Sequence, residues 1–228
     1  MSAPVSPAGE VRPSARQPLL AREGWGHVAV AVIIAAAVTA AWGWLVGAPF
    51  WLIAIFVVQF FRDPRRIPAT GPGVVLCPAD GRVIAVGAAT DPYLNRPALK
   101  FSIFMNVFNV HSNRSPVDGT VRRQWYNQGR FLNAALDKAS AQNERNALWI
   151  TTPAGEDVVV VQVAGLIARR ILCHVGMGDT MTAGGRYGFI RFGSRVDVYL
   201  PPGSQPKVAL GDRVHAGVRV LALLQKGP

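Results

Sequence analysis

The residues of this chain that could do chemistry together are one serine, one histidine and one aspartate. Ser194 follows Gly193 between two strand-like segments, so its hydroxyl is held in place with little steric cover on its N-terminal side. Serine is a weak nucleophile that needs a neighbouring base. His111 could be that base, because histidine ordinarily titrates near physiological pH, and Asp80 could orient its imidazole. Each residue alone also fits a plainer role, as a turn serine, a structural histidine or a turn aspartate.

These three residues lie in three separated motifs. The motifs are Pro78–Val83 (PADGRV), Phe108–Pro116 (FNVHSNRSP) and Tyr187–Pro201 (YGFIRFGSRVDVYLP). In this order along the chain, they resemble the short form of phosphatidylserine decarboxylase, a family of self-processing enzymes. The resemblance extends from about Phe60 to the C-terminus.

The resemblance implies that the chain cuts itself between Gly193 and Ser194. The cut would leave a large chain, residues 1–193, and a small chain, residues 194–228, which stay associated. In such a reaction the Ser194 hydroxyl attacks the Gly193 carbonyl, with His111 as general base and Asp80 orienting it. Elimination and loss of ammonia then leave a pyruvoyl group in place of Ser194.

The implied activity is decarboxylation of phosphatidylserine to phosphatidylethanolamine in phospholipid biosynthesis. The self-generated pyruvoyl group would form a Schiff base with the substrate amine and act as the electron sink that pyridoxal phosphate provides elsewhere. Neither pyridoxal phosphate nor a metal is expected. No two histidines have metal-ligand spacing with a supporting carboxylate, and His27, His174 and His215 are assigned no catalytic role.

The substrate-binding residues are not identified by the motifs. Larger bacterial relatives carry a second histidine three residues before the one that matches His111, and here that position is Phe108. Either another group donates the proton after decarboxylation, with His111 itself as one candidate, or Phe108 shapes an apolar pocket beside the pyruvoyl group. Arg114 and Arg191 are further candidates, because a guanidinium suits phosphate.

The net charge of +11 indicates an anionic partner. Nucleic acid is not expected, because aromatic residues are not interleaved with Lys/Arg clusters as stacking sites require. An anionic lipid surface fits better, since basic residues bracket an apolar segment. A homodimer is implied by the family resemblance alone.

The chain divides into three regions by composition. Residues 1–24 indicate a disordered basic tail, residues 25–66 a membrane-associated helical hairpin with a break at Gly47-Ala48-Pro49, and residues 67–228 a β-rich catalytic domain. Arginines on both sides of the apolar stretch favour the cytoplasmic face of the cell membrane for both ends. Whether the hairpin spans the bilayer or dips into it is left open.

The predicted fold class is α+β, mainly β: a compact β-rich catalytic domain with an N-terminal apolar helical hairpin. One helix is predicted over Arg130–Ser140 from its apolar spacing. Strands are predicted from short β-type runs between Gly and Pro residues. They cover Val74–Leu76, Arg82–Val86, Leu99–Val107, Leu148–Thr152, Val158–Val163, Phe189–Arg191 and Val196–Leu200.

Two other functions remain open at this point. One is a pyruvoyl-dependent decarboxylase of a soluble amino acid, which the apolar hairpin argues against. The other is a membrane-tethered carrier or scaffold built on a lipoyl-like β domain, suggested by the turn around Gly211-Asp212. The carrier would present a modifiable lysine at a hairpin tip, and Lys207 is not in such a motif.

Overall fold

The computed structural model describes residues 19–129, 143–165, 171–191 and 194–225. Two helices precede fourteen β-strands in this part of the chain. The predicted α+β, mainly β class with an N-terminal helical hairpin is confirmed. The helix predicted over Arg130–Ser140 and the residue Gly193 lie outside the described residues.

The two helices form a hairpin of apolar residues. After a 3-10 turn at Arg22–Gly24, α1 runs over Trp25–Trp42 and α2 over Trp44–Phe60. At 1.5 Å per residue each is about 25–27 Å long, close to the roughly 30 Å of a hydrocarbon core. Only 11% of the apolar span that includes α1 is buried inside the protein. Most of its surface is therefore available to lipid.

The chain reverses at Gly43, so the break predicted at Gly47-Ala48-Pro49 is wrong. Gly43 has a φ of +82°, a conformation that favours glycine. Gly47 instead lets the helices approach, because a Cβ there would lie 2.0 Å from Thr39 Oγ1. Pro49 lies within α2.

The base of the hairpin is closed by backbone pairing. Leu20 and Arg62 form an antiparallel bridge. Beside it, the Ala21 amide donates to the Phe61 carbonyl at 2.7 Å. Both ends of the hairpin therefore leave on the same side, next to the β domain.

The strands are short and mostly match the predicted runs, with seven more that the sequence analysis missed. They are β1 (Val74–Leu76), β2 (Gly81–Asp91), β3 (Arg96–Met105), β4 (Ser112–Arg114), β5 (Gly119–Asn127), β6 (Arg145–Thr151), β7 (Asp157–Val163), β8 (Ile171–Cys173), β9 (Thr180–Met181), β10 (Arg186–Ile190), β11 (Ser194–Leu200), β12 (Gln205–Pro206), β13 (Arg213–Val214) and β14 (Val220–Leu223).

One eight-stranded antiparallel sheet organises the domain, in the order β13-β2-β3-β11-β7-β6-β5-β9. Two three-stranded sheets, β1-β14-β12 and β4-β10-β8, complete it. Alternate residues of the central strands enter the main core, such as Val196 and Val198 of β11 and Val158 and Val160 of β7. The intervening residues, such as Val159, belong to a second cluster on the other face.

Candidate active site

Ser194 is the first residue of β11 and lies opposite Met105 of β3. By strand alternation its side chain points to the same face as Val196, toward the main core. Ser194 is fully buried, and its Oγ has no hydrogen-bond partner in the described part of the chain. Leaving a buried hydroxyl unpaired costs about 1–3 kcal/mol, so the position is poor for stability and suits a reactive group.

His111 is fully buried just before β4, and neither of its ring nitrogens has a hydrogen-bond partner among the described residues. Its imidazole lies 4.2 Å from the ring of Phe60 and 6.1 Å from that of Phe189, between centroids. Burial lowers the pKa of His111 to about 4. The Asn109 backbone, which lies near the ring but outside hydrogen-bond geometry, raises the pKa, and the positive charge of Arg62 lowers it. The imidazole is therefore neutral at physiological pH.

Two contacts bring the His111 and Ser194 segments together. The Ile190 amide, four residues before Ser194, donates to the His111 carbonyl at 3.3 Å. Asn113 Nδ2, two residues after His111, lies 3.9 Å from Sδ of Met105, the residue opposite Ser194. The serine and the histidine thus belong to one buried region.

Asp80 lies at the same end of the large sheet as Ser194. Arg82, Phe104 and Arg195 are in register across β2, β3 and β11. Because β2 and β11 run in the same direction, Asp80 and Ser194 both precede that row. At about 4.8 Å between strands, the row spans roughly 10 Å from Arg82 to Arg195.

The carboxylate of Asp80 is occupied by groups other than His111. Oδ1 accepts from the Ala216 amide at 2.7 Å, and Oδ2 contacts Arg66 Nη2 at 2.8 Å and His215 Nδ1 at 3.3 Å. No hydrogen bond joins Asp80 to the His111 ring in the described structure. No direct contact between Asp80 and His111 therefore supports the predicted orienting role, which stays a prediction.

The candidate Phe108 lies beside the hairpin. Its side chain is 63% exposed and meets Phe56 of α2 edge-on, with centroids 6.2 Å apart. Its carbonyl accepts a hydrogen bond of 2.8 Å from Arg62 Nη2. Phe108 is thus an exposed apolar side chain next to the base of the hairpin.

The two arginine candidates differ in their surroundings. Arg114 is 2% exposed, its Nη2 lies 2.6 Å from Asp63 Oδ1, and its Nη1 donates to the Gly184 carbonyl at 3.1 Å. These bonds anchor the segment that follows α2, so a structural role fits Arg114 better than phosphate binding. Arg191 is half-buried, and its Nε has no hydrogen-bond partner among the described residues. It stays a candidate for binding an anion.

Hydrogen bonds join four carboxamide side chains in a row that ends at Asn113, two residues after His111. The sequence analysis did not predict this row. Gln124 donates to Asn146 at 2.8 Å, Asn146 to Gln162 at 3.0 Å, and Gln162 to Asn113 at 2.8 Å. Three of the four residues are at most 1% exposed, all but Gln124. The run Asn143-Glu144-Arg145-Asn146 was visible in the sequence, but its partners were not.

In the part of the chain that the structure describes, no group of three or more His, Cys, Asp and Glu side chains could hold a metal ion. The described structure thus brings a buried serine and a buried imidazole into adjoining segments, with Asp80 at the same end of the large sheet.

Comparison with known proteins gives a consistent result. A family model described as phosphatidylserine decarboxylase matches residues 53–222. The chain is 62% identical over 205 residues to a phosphatidylserine decarboxylase proenzyme of Nitrosomonas europaea, covering 90% of this chain and 95% of that protein. It is 61% identical over 207 residues to the proenzyme of Aromatoleum aromaticum, covering 91% and 96%. For the proenzyme of Burkholderia ambifaria the identity is 59% over 209 residues, covering 92% and 98%.

Proposed function

The chain belongs to the phosphatidylserine decarboxylase family, and we propose that it makes its own pyruvoyl group from Ser194 by cutting its backbone after Gly193. Family membership makes it a carboxy-lyase of phospholipid metabolism, and its relatives are named as proenzymes. The self-cleavage and the roles of individual residues are the proposal.

One observation carries the proposal: a buried hydroxyl and a buried neutral imidazole lie in adjoining segments without hydrogen-bond partners among the described residues. A fold that needed Ser194 and His111 for stability alone would pair them. Because its pKa is lowered, the imidazole is neutral at physiological pH and has a nitrogen lone pair available for the serine proton, although the same shift makes it a weaker base. These residues fit a site where a serine is converted into a pyruvoyl group.

The proposed cleavage uses only groups of the chain and water. His111 takes the proton of Ser194 Oγ, which attacks the Gly193 carbonyl carbon. The Gly193–Ser194 amide is exchanged for an ester, and the proton moves to the Ser194 nitrogen. Loss of the Ser194 Cα proton then expels Gly193 as a carboxylate and leaves dehydroalanine, which tautomerises and takes up water, releasing ammonia and leaving the ketone.

The proposed role of Asp80 is electrostatic. Its negative charge raises the pKa of His111, against the larger effect of burial. The charge therefore favours the imidazolium that forms when Ser194 loses its proton. Arg66, His215 and the Ala216 amide hold the carboxylate in position for this role.

The position of the site supports a lipid substrate over a soluble amino acid. Phe60, the last residue of α2, covers His111, and Phe108 is exposed beside the same helix. A head group at the bilayer surface therefore has the reactive region next to it. When formed, the pyruvoyl group supplies an electron sink for loss of carbon dioxide. Arg62, Arg65 and Arg66 after the hairpin support attachment at the cytoplasmic face.

The strand that would carry the new chain start is held on both sides. β11 pairs with β3 along its whole length and with β7 over five residues. In the small chain, β14 also pairs with β1 of the large chain. We therefore expect the two products to remain one folded body after the cut.

Intact-mass measurement of the purified protein tests the cleavage. We expect two chains, the smaller beginning at residue 194 with a blocked start, and a single full-length chain for Ser194→Ala. Ser112→Ala is a matched control, because Ser112 is equally buried and its Oγ also lacks a described partner. A Ser112→Ala protein that stays intact while Ser194→Ala cleaves would assign the nucleophile to the wrong serine.

Release of carbon dioxide tests the substrate. The cleaved protein in mixed micelles should release it from phosphatidylserine and not from free serine or aspartate. Release from a soluble amino acid alone would favour the alternative substrate class.

A further inference from the structure

A groove of about 660 Å³ lies next to β13 and β14, and its rim is cationic. Lys207, Arg213 and Arg219 line it together with His215, and all four are exposed. Apolar side chains complete the lining, among them Val218, which is 41% exposed. The groove thus combines positive charge with an apolar surface.

The charges of the groove are not neutralised by the protein. Among the described residues, Lys207, Arg213 and Arg219 have no carboxylate partner within ion-pair distance, whereas buried arginines such as Arg114 and Arg195 do. Arg213 also lies directly opposite Arg82 across the β13–β2 pair. Like charges in this position destabilise a sheet pair, so a bound anion would stabilise it.

The groove is connected to the base of the hairpin through Asp80. His215, which lines it, and Arg66 contact the same Oδ2 atom of Asp80, at 3.3 and 2.8 Å. Arg66 follows Phe60, the end of α2, by six residues, which reach at most about 20 Å. The His215 edge of the groove is therefore linked, through Asp80 and Arg66, to the segment that leaves the hairpin.

The groove arginine Arg213 and the side chain of Ser194 lie on opposite faces of the large sheet. Arg213, Arg82, Phe104 and Arg195 are in register across four neighbouring strands, so Arg213 lies roughly 14 Å along the sheet from the residue after Ser194. Residues in register in an antiparallel sheet point to the same face, so Arg213 shares the face of Arg195, whereas Ser194 points to the opposite face, toward the main core. The anion that the groove would hold is therefore a different one from the phosphate of the lipid that reacts at Ser194.

We propose that this groove binds the head group of a second, anionic phospholipid of the membrane surface, one that is not the substrate. The phosphate would lie among Lys207, Arg213 and Arg219, and the upper acyl chain against Val218. The inference rests on the proposed membrane attachment and is independent of self-cleavage. Such a site would add an attraction for anionic lipid to the apolar attachment through the hairpin.

Calorimetric titration of the full-length protein in neutral detergent tests this site. The probes are dihexanoyl phosphatidylglycerol, which has no amine to react, dihexanoyl phosphatidylcholine and glycerol 3-phosphate. We expect phosphatidylglycerol to bind, and Arg213→Gln/Arg219→Gln to weaken it at least about tenfold, as the loss of charge-assisted phosphate contacts requires. The matched control is Arg122→Gln/Arg123→Gln, which removes two exposed charges from β5 and should leave the affinity unchanged.

Three outcomes overturn the inference: equal affinity for phosphatidylcholine, undiminished binding by the groove variant, or glycerol 3-phosphate binding as tightly as the lipid, which would indicate a free-phosphate site. Thermal unfolding midpoints equal to that of the wild type exclude misfolding as the cause of a loss of affinity, and Lys207→Gln should give a smaller loss of affinity.

Intact mass of the same samples separates the groove proposal from the self-cleavage proposal. Complete cleavage without lipid binding rejects this site alone, and lipid binding without cleavage rejects the proposed self-processing alone.

Discussion

The ring of Phe60 lies 4.2 Å from the imidazole of His111, measured between centroids. Phe60 ends α2 and is 1% exposed, and His111 below it is fully buried. The cover that keeps water from the candidate base is thus supplied by the apolar hairpin. The helix α2 therefore contributes to the surroundings of the candidate base as well as to the hairpin.

Phe60→Ala should raise the pH at which self-cleavage slows. Removing the ring admits water to His111, so its pKa rises from about 4 toward 6.5. Because cleavage needs the neutral imidazole, the acidic limb of the rate profile should move to higher pH. The measurement is the rate of appearance of the small chain against pH. Leu52→Ala, at a 68% exposed position of the same helix, is the control, and an unmoved limb in Phe60→Ala would contradict the assignment.

The folded chain should lose stability as the pH falls from about 6.5 to about 4. His111 has a folded pKa of about 4 and an ordinary unfolded pKa of 6.5, so the unfolded state takes up the proton first. The stabilisation is complete above pH 6.5, and the loss approaches about 3 kcal/mol near pH 4. Denaturant unfolding of the uncut Ser194→Ala chain in detergent measures it. His111→Gln should remove this part of the slope, and an unchanged slope in that variant would contradict the assignment.

Arg114→Met should destabilise the protein by about 3 kcal/mol. It leaves Asp63, which is 1% exposed, without its closest cationic partner, although Arg186 Nε remains 3.6 Å away. The free energy of unfolding and the rate of proteolysis between the hairpin and the β domain report the loss. Replacing the exposed Arg65 by methionine should change neither. A stable, protease-resistant Arg114→Met protein would contradict the structural role and make Arg114 a candidate phosphate ligand again.

Gln162→Leu should cost more stability than Gln124→Leu. Gln162 is fully buried, and its loss leaves Asn113 and Asn146 each with an unpaired buried group, at about 1–3 kcal/mol each. Gln124 is exposed, so water can replace its bond to Asn146. The free energies of unfolding of the two variants decide. Equal costs would show that the carboxamides do not act as a buried chain.

Sequence patterns predicted the strands whose apolar residues are the ones that are buried. The run Val158–Val163 is buried on both faces and forms β7 almost as predicted. The strand β5 was missed because Arg122, Arg123 and Gln124 interrupt any apolar pattern; these three residues are exposed, and the strand is defined by its pairing with β6. The reversal of the hairpin was misplaced because Gly47 serves close packing against Thr39, a contact that only the folded hairpin reveals.

The candidate residues of the site that lie within sequence motifs were predictable. Ser194, His111 and Asp80 stood out through their neighbours in sequence and the resemblance that those motifs carry. The environment of these residues could not be predicted, because it is formed by segments distant in sequence. Phe60 lies over His111, and Gln162 donates a hydrogen bond to Asn113, 49 positions away. Pairings of such separation depend on the register of whole strands, which local composition does not determine.

The closed base of the hairpin has a consequence for how the protein reaches the bilayer. Residues 25–60 contain no Asp, Glu, Lys or Arg, and the bridge between Leu20 and Arg62 keeps both stems together. The tip at Gly43 can therefore enter first, and no charged group has to be translocated. Such a protein could be synthesised completely and fold its β domain in water before it attaches to a membrane, because no polar loop has to cross the lipid.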